Sequence, residues 1–280
     1  MSESALLSFF VLNDQLRSTC DFNPYQLQNG KQVYEVIRII EGKPLFMREH
    51  LNRFFKSAAI SGISLPVNDK DIIVRIKALI EANRLVNGNI EFLVHIDTYG
   101  EKRFVAMVIP YFYPTGEMYK NGVKVSVMEA VRKYPNAKAY NRNLRDKADK
   151  IIKEKDVYEV ILKNDKGYLT EGSRSNIFFI SKDSTVHTPP LSLVLPGITR
   201  MKIFDICSKN RINIIEENIT LRHTEEFNSF FITGTSPKVL PVKSLDGIGF
   251  NTDNKLLRNI MLWYDNEIKN YLNNFDFEKV

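Results

Sequence analysis

The chain lacks the features that would send it to a membrane, a disulfide scaffold or a nucleic acid. Its 280 residues contain no run of about twenty apolar residues, so no helix is expected to span a bilayer. Cys20 and Cys207 are the only cysteines and lie far apart, which excludes a disulfide framework and fits free thiols in a reducing cytoplasm. The four histidines, His50, His95, His187 and His223, are not spaced as metal ligands, and no metal is expected. Leu6–Leu12 is apolar, but Met1-Ser2-Glu3-Ser4 carries no positive charge before it, so a signal peptide is not expected. Net charge is +6, yet the lysines are scattered among acids, as in Asp146-Lys147-Ala148-Asp149-Lys150. No basic block is interleaved with aromatics, so the excess reads as a solvated surface rather than a nucleic-acid face.

What remains is an ordinary globular composition, 44% hydrophobic and 26% charged, in a chain long enough for two domains. Val33–Ile40 is an apolar, β-branched run ending at Glu41-Gly42-Lys43-Pro44, a strand and a turn. Leu51, Phe54, Phe55 and Ala58 recur at helical spacing, and Asn68 caps a second helix with Ile72, Ile73, Ile76, Leu79 and Ile80 on its buried face. Ile90–Asp97 and Arg103–Pro110 read as an antiparallel pair. Residues 1–112 thus form a small α+β domain. Residues 113–122, with Pro114, Gly116 and Gly122, read as a linker, and 123–280 as a larger domain. The latter holds strands at Val123–Val131, Val157–Lys163, Asn176–Ile180, Val186–Thr188, Asn213–Glu216 and Phe230–Thr233. Helices are expected near Asn143–Lys155, Thr199–Lys209 and Lys255–Leu272.

The chemistry concentrates in two stretches. Thr170-Glu171-Gly172 precedes the strand at Asn176, and Leu195-Pro196-Gly197-Ile198-Thr199-Arg200 reads as a strand-like end, a break and a helix start. The first amides of a helix have no intrahelical partner, and the helix dipole adds to their pull on an anion. Thr233-Gly234-Thr235-Ser236 adds hydroxyls and a close backbone approach after another apolar strand. Together these stretches suit a phosphorylated aromatic cofactor.

The order of motifs resembles the class IV (fold type IV) pyridoxal-phosphate enzymes, which include branched-chain aminotransferases, D-amino-acid aminotransferases and aminodeoxychorismate lyases. The motifs are Tyr34-Glu35-Val36 with Arg38, Glu49-His50-Leu51-Asn52-Arg53, a lysine, Glu171-Gly172, Gly197-Ile198-Thr199-Arg200 and Gly234-Thr235. The resemblance implies a two-domain α+β fold with a β-barrel-like core in the larger domain, pyridoxal 5′-phosphate as cofactor, a homodimer and a cytoplasmic enzyme. It selects Lys138, in Lys138-Ala139-Tyr140-Asn141-Arg142 before Tyr158-Glu159, as the Schiff-base lysine. Glu171 is then the partner of the pyridine nitrogen. Arg53, Ile198, Thr199 and Thr235 are phosphate ligands, and Leu195 packs on the ring; Arg200 finishes a turn.

Substrate carboxylate binding is open among Lys31, Tyr34, Arg38 and Arg142. The Arg and His that D-specific members use align near Ile96 and Thr98, so that trap is absent. The implied activity is transfer of an amino group from an amino acid, branched-chain and L by preference, to a 2-oxo acid. Asn141-Arg142 also fits a lyase that releases pyruvate and 4-aminobenzoate. A non-catalytic pyridoxal-binding protein is a third reading, opposed by the presence of both Lys138 and Glu171.

Overall fold

The computed structural model describes residues 6–132 and 134–280, and the chain divides into two compact units. The first runs to Phe112 and also takes in Ala137–Tyr140 and Ile268–Val280. Its sheet is formed by β1 (Leu6–Leu12), β2 (Gln15–Ser18), β3 (Lys31–Ile40), β4 (Lys43–Pro44), β5 (Gly88–Ile96) and β6 (Lys102–Ile109). The order is β2-β1-β6-β5-β3-β4, antiparallel throughout. Its helices are α1 (Met47–Ile60) and α2 (Asp69–Asn83).

Strand alternation sorts the side chains. Val33, Ile37 and Ile39 of β3 join Ile90, Phe92 and Val94 of β5 and Phe104 and Ala106 of β6. All pack with Leu51 and Phe54 of α1 and Ile72, Ile76 and Leu79 of α2. Burying each such side chain contributes about 1.5–3 kcal/mol. Glu35 falls between Val33 and Ile37 in the same alternation, so the strand carries a carboxylate into this interior. Tyr34, Leu93, Val105 and Met107 belong instead to a smaller cluster with Phe10 and Leu27. As expected, Asn68 caps α2; its side chain accepts from Asp71 N–H at 2.9 Å, and the Asp71 carboxylate accepts from Asn68 N–H at 3.1 Å. Such a box stabilises a helix by about 1 kcal/mol.

The second unit comprises Tyr113–Asn136 and Asn141–Glu267. Its strands are β7 (Val123–Glu129), β8 (Glu159–Lys163), β9 (Tyr168–Gly172), β10 (Asn176–Ile180), β11 (Val186–Thr188), β12 (Ile214–Glu216), β13 (Ile219–Thr220), β14 (Ser229–Gly234), β15 (Lys238–Leu245) and β16 (Ile248–Gly249). They follow a linear path, β12-β11-β10-β14-β15-β7-β8-β9-β13, with β16 on β15. The pairs β7/β8, β11/β12 and β7/β15 are parallel, which requires crossovers; α4 (Arg142–Lys155) lies in the first and α5 (Ile198–Lys209) in the second. The loops leading into both crossover helices carry residues of the candidate site.

Three expectations are corrected. The segment read as a linker lies in the second unit and contains a helix, α3 (Gly116–Asn121). Thr115 caps it by accepting from Met118 N–H, and Gly122, at φ +73°, ends it. Lys138 groups with the first unit, because Lys138 C=O accepts from Tyr34 N–H and Gln32 C=O from Tyr140 N–H. Residues 268–280, which include the end of α6 (Lys255–Asn274), also group there. Finally, a short turn at Leu191–Leu193, not a strand, leads into Leu195.

Candidate active site

In the first unit a buried carboxylate organises a cationic cluster. Arg53 Nε donates to Glu35 Oε1 at 2.7 Å, and Arg53 Nη2 donates to Glu35 Oε2 at 2.7 Å. His50 Nδ1 lies 2.9 Å from Glu35 Oε2. His50 and Arg53 are three apart on α1, so the helix presents both to β3 on one face. Burial works against the charge on Glu35, but the Arg53 charge and fork outweigh it, with Lys138 and His50 assisting. The carboxyl is held well below the usual range. Burial pushes His50 down against the pull of Glu35. Neutral His50 then meets the carboxylate by donating from Nδ1, because a carboxylate only accepts.

The Lys138 segment runs along β3. Ala139 bridges Val33, Lys138 C=O accepts from Tyr34 N–H at 3.2 Å, and Lys138 N–H donates to Ser57 Oγ at 3.1 Å. Its Nζ lies 5.2 Å from the centre of the Tyr34 ring, within cation–π range. Lys31 is exposed at the start of β3, whereas Arg38 is half-buried and four residues beyond Tyr34.

In the second unit Glu171 is buried near the end of β9. Leu195 N–H donates to Glu171 Oε2 at 3.0 Å, and Arg132 Nε lies 2.6 Å from Oε1 as an ion pair. Arg132 Nη2 also donates to Ser173 O at 2.8 Å. The turn after Glu171 is gathered on Glu159, which accepts from Ser173 Oγ at 2.7 Å, Arg174 N–H at 3.1 Å and Ser175 Oγ at 3.1 Å. A Cβ on Gly172 would fall 2.0 Å from Ser175 Oγ, so the turn requires glycine.

Gly197 caps α5 with no side-chain hydrogen bond, and Ile198 and Thr199 form the first turn. Thr199 Oγ1 lies 3.1 Å from Tyr264 Oη, so what Thr199 offers outward is its backbone amide. Arg200, read from sequence as finishing a turn, is buried; its Nη2 donates to Pro189 O at 3.2 Å and Glu216 Oε1 at 2.5 Å. Asn176 on β10 and Thr233 on β14 are directly paired. They sit two residues from Phe178 and Phe231, which stack at 5.1 Å, and Phe178 also meets Phe204 of α5. Alternation therefore turns Asn176 and Thr233 toward α5. Thr235 is half-buried just past β14, and Arg142 is exposed at the first position of α4.

These residues fit pyridoxal phosphate. Thr233 Oγ1 is buried with no hydrogen-bond partner, a hydroxyl set to donate to an anion. A Cβ on Gly197 would come 2.0 Å from Asn176 Oδ1, so the backbone before α5 is kept bare. The first turn of α5 has amides that could meet a phosphate, and Glu171 is met by Leu195 N–H at Oε2 and by the Arg132 charge at Oε1. Sequence reasoning missed Arg132, Thr233 and the structural role of Glu159. Arg132 meets Glu171 from a distant part of the chain with no local pattern, whereas Thr233 lay inside the noted Thr-Gly-Thr-Ser run.

Comparison with known proteins agrees with this reading. The family model for amino-transferase class IV matches residues 32–245. The chain is 32% identical over 271 residues to a D-alanine aminotransferase of Bacillus licheniformis, covering 90% of this chain and 93% of that one. It is 27% identical over 244 residues to a branched-chain-amino-acid aminotransferase of Pseudomonas aeruginosa, covering 80% and 78%. Among solved structures, the fold matches a T.th. branched-chain amino acid aminotransferase with pyridoxamine 5′-phosphate. The TM-score is 0.84 at 21% identity, over 95% of each chain.

Proposed function

We propose that this chain, which belongs to the class IV aminotransferases, moves the amino group of a branched aliphatic L-amino acid to a 2-oxo acid. As a member of that family it is a pyridoxal-phosphate aminotransferase. The observation that carries the substrate class is the setting of Tyr34. Its ring neighbours Lys138 Nζ, and it belongs to an apolar cluster with Leu27, Leu93, Val105 and Met107. These residues are packed core, and an aliphatic substrate side chain meets Tyr34 at their edge. The β5–β6 connection supports the L preference, since Ile96 and Thr98 stand where D-specific members are expected to carry Arg and His. Asp97 closes that turn on Tyr99 N–H and Glu101 N–H, both at 2.9 Å.

When bound, pyridoxal phosphate supplies a sink for the electron pair left as the substrate Cα–H bond breaks. Lys138 would hold the aldehyde carbon through Nζ, and once free that Nζ would take the Cα proton as a base and return it as an acid. Glu171 holds the proton on the ring nitrogen. Arg53, the amides of Ile198 and Thr199, and Thr235 bind phosphate, with Glu35 and His50 setting the Arg53 fork. Leu195 packs on the ring. For the substrate carboxylate we favour Tyr34 and Arg38 over Lys31 and Arg142, because the latter two are exposed.

The enzyme acts as a cytoplasmic homodimer, as the family resemblance implies, and its free thiols Cys20 and Cys207 suit a reducing compartment. Of the pair that spoke for a lyase, Asn141 is used locally: it caps α4 by accepting from Leu144 N–H at 3.1 Å. A panel of L- and D-amino acids, each mixed with the loaded enzyme and no oxo acid, tests the substrate. L-Leucine, L-isoleucine or L-valine should bleach the visible band and release one 2-oxo acid per site. Bleaching by D-alanine, with none from the branched L-amino acids, would overturn the assignment and bring the function to that of the 32% relative.

A further inference from the structure

We propose that Arg132 is a positioning residue for the cofactor's ring nitrogen, acting through Glu171. The inference rests on the assignment of Glu171 given above. A carboxylate rotates about its last bond, and two fixed oxygens are needed to set its plane. Leu195 N–H donates to Oε2 at 3.0 Å, and Arg132 Nε stands 2.6 Å from Oε1 as an ion pair without hydrogen-bond alignment, so it acts on Oε1 by charge. The arginine is itself anchored, because its Nη2 donates to Ser173 O at 2.8 Å. Ser173 is fixed in turn by its N–H on Val160 O at 2.9 Å and its Oγ on Glu159 at 2.7 Å. Arg132 therefore spans Glu171 and the backbone two residues beyond it. The span needs the planar guanidinium, with one nitrogen for each partner, and a lysine offers a single charged point. The Glu171 side chain is 3% exposed and that of Arg132 17%, so water screens the pair weakly.

The test compares two ligands on the full-length chain freed of cofactor. One is pyridoxal phosphate; the other is its analogue with C–H in place of the ring nitrogen, which gives Glu171 nothing to hold. Affinity is read by equilibrium dialysis for wild type, Glu171→Gln, Arg132→Gln and Arg132→Lys. Loss of a charge-assisted contact predicts about tenfold weaker pyridoxal-phosphate binding in Arg132→Gln, with the analogue changed by less than about twofold. Arg132→Lys should follow Arg132→Gln, since it keeps the charge but not the span; it also serves if the glutamine variant is poorly folded. Equal losses for both ligands would make Arg132 a structural clamp, and unchanged affinities would remove it from the site. Either result overturns the proposal while Glu171→Gln still separates the two ligands. If Glu171→Gln treats both ligands alike, the assignment of Glu171 fails and the proposal with it.

Discussion

Replacing Glu35 by methionine should unfold the first unit at markedly lower temperature. Glu35 has no exposed surface, and Arg53 is 6% exposed with its Nε and Nη2 both directed at that carboxylate. The variant leaves a buried guanidinium without its counter-charge and His50 Nδ1 without its acceptor. Removing one partner of a buried pair destabilises by about 3–5 kcal/mol. For a unit of this size that is a fall in Tm on the order of 10 °C. The double variant Glu35→Met with Arg53→Leu removes both charges and should recover most of the loss. It should not recover cofactor binding, because the phosphate loses a charge-assisted contact worth about 1.5–3 kcal/mol, roughly ten- to a hundredfold in affinity. Thermal scans and cofactor titration of the three proteins decide the matter. A single variant within about 1 kcal/mol of wild type would refute the buried-pair argument. A double variant with unchanged cofactor affinity would refute the phosphate role of Arg53.

His95 gives a pH-dependent prediction. Burial, helped by the Arg103 charge and opposed by Asp97, depresses its pKa, and both ring nitrogens are buried without hydrogen-bond partners. A depressed folded value means that stability is full while both states are neutral. It falls as pH drops through about 6.5, where the unfolded chain takes up the proton first. His95→Phe should match wild type near pH 8 and lose less stability by pH 5; parallel Tm–pH curves for the two proteins would count against this. Thr233→Val removes a buried hydroxyl with no partner, so it should stabilise the cofactor-free chain by about 1–2 kcal/mol and weaken cofactor binding about tenfold. Unchanged values in both denaturant and cofactor titrations would take Thr233 away from the phosphate.

Strong local patterns carried much of the fold. The β3 run, the α1 and α2 periodicities and the Asn68 cap were legible because each is decided within a few residues. β1 (Leu6–Leu12) was seen only as an apolar stretch, since the run Leu6-Leu7-Ser8-Phe9-Phe10-Val11-Leu12 has no two-residue alternation to mark a strand. β15 was missed because Pro241 interrupts it, and proline speaks against an interior strand. The structure tolerates it: Pro241 faces Phe231 on β14, and the ladder to β7 begins only at Val242. The Pro and Gly signals at 114–122 were read as a break, although Thr115 and Gly122 start and stop α3. At the site, Glu35, His50 and Arg53 were visible as motifs, but their mutual fork depends on strand and helix faces meeting. Lys138 could be picked from so many lysines only by the family resemblance, and no local signal marked Arg132.

The central claim is that Lys138 is the residue to which the cofactor's aldehyde is bound. The purified, cofactor-loaded enzyme should show a visible-violet band that borohydride abolishes, leaving a stable pyridoxyl label. Peptide mapping by mass spectrometry should place that label on Lys138, with Lys138→Ala carrying none. A label on any other lysine, or an undiminished label in Lys138→Ala, would contradict the account.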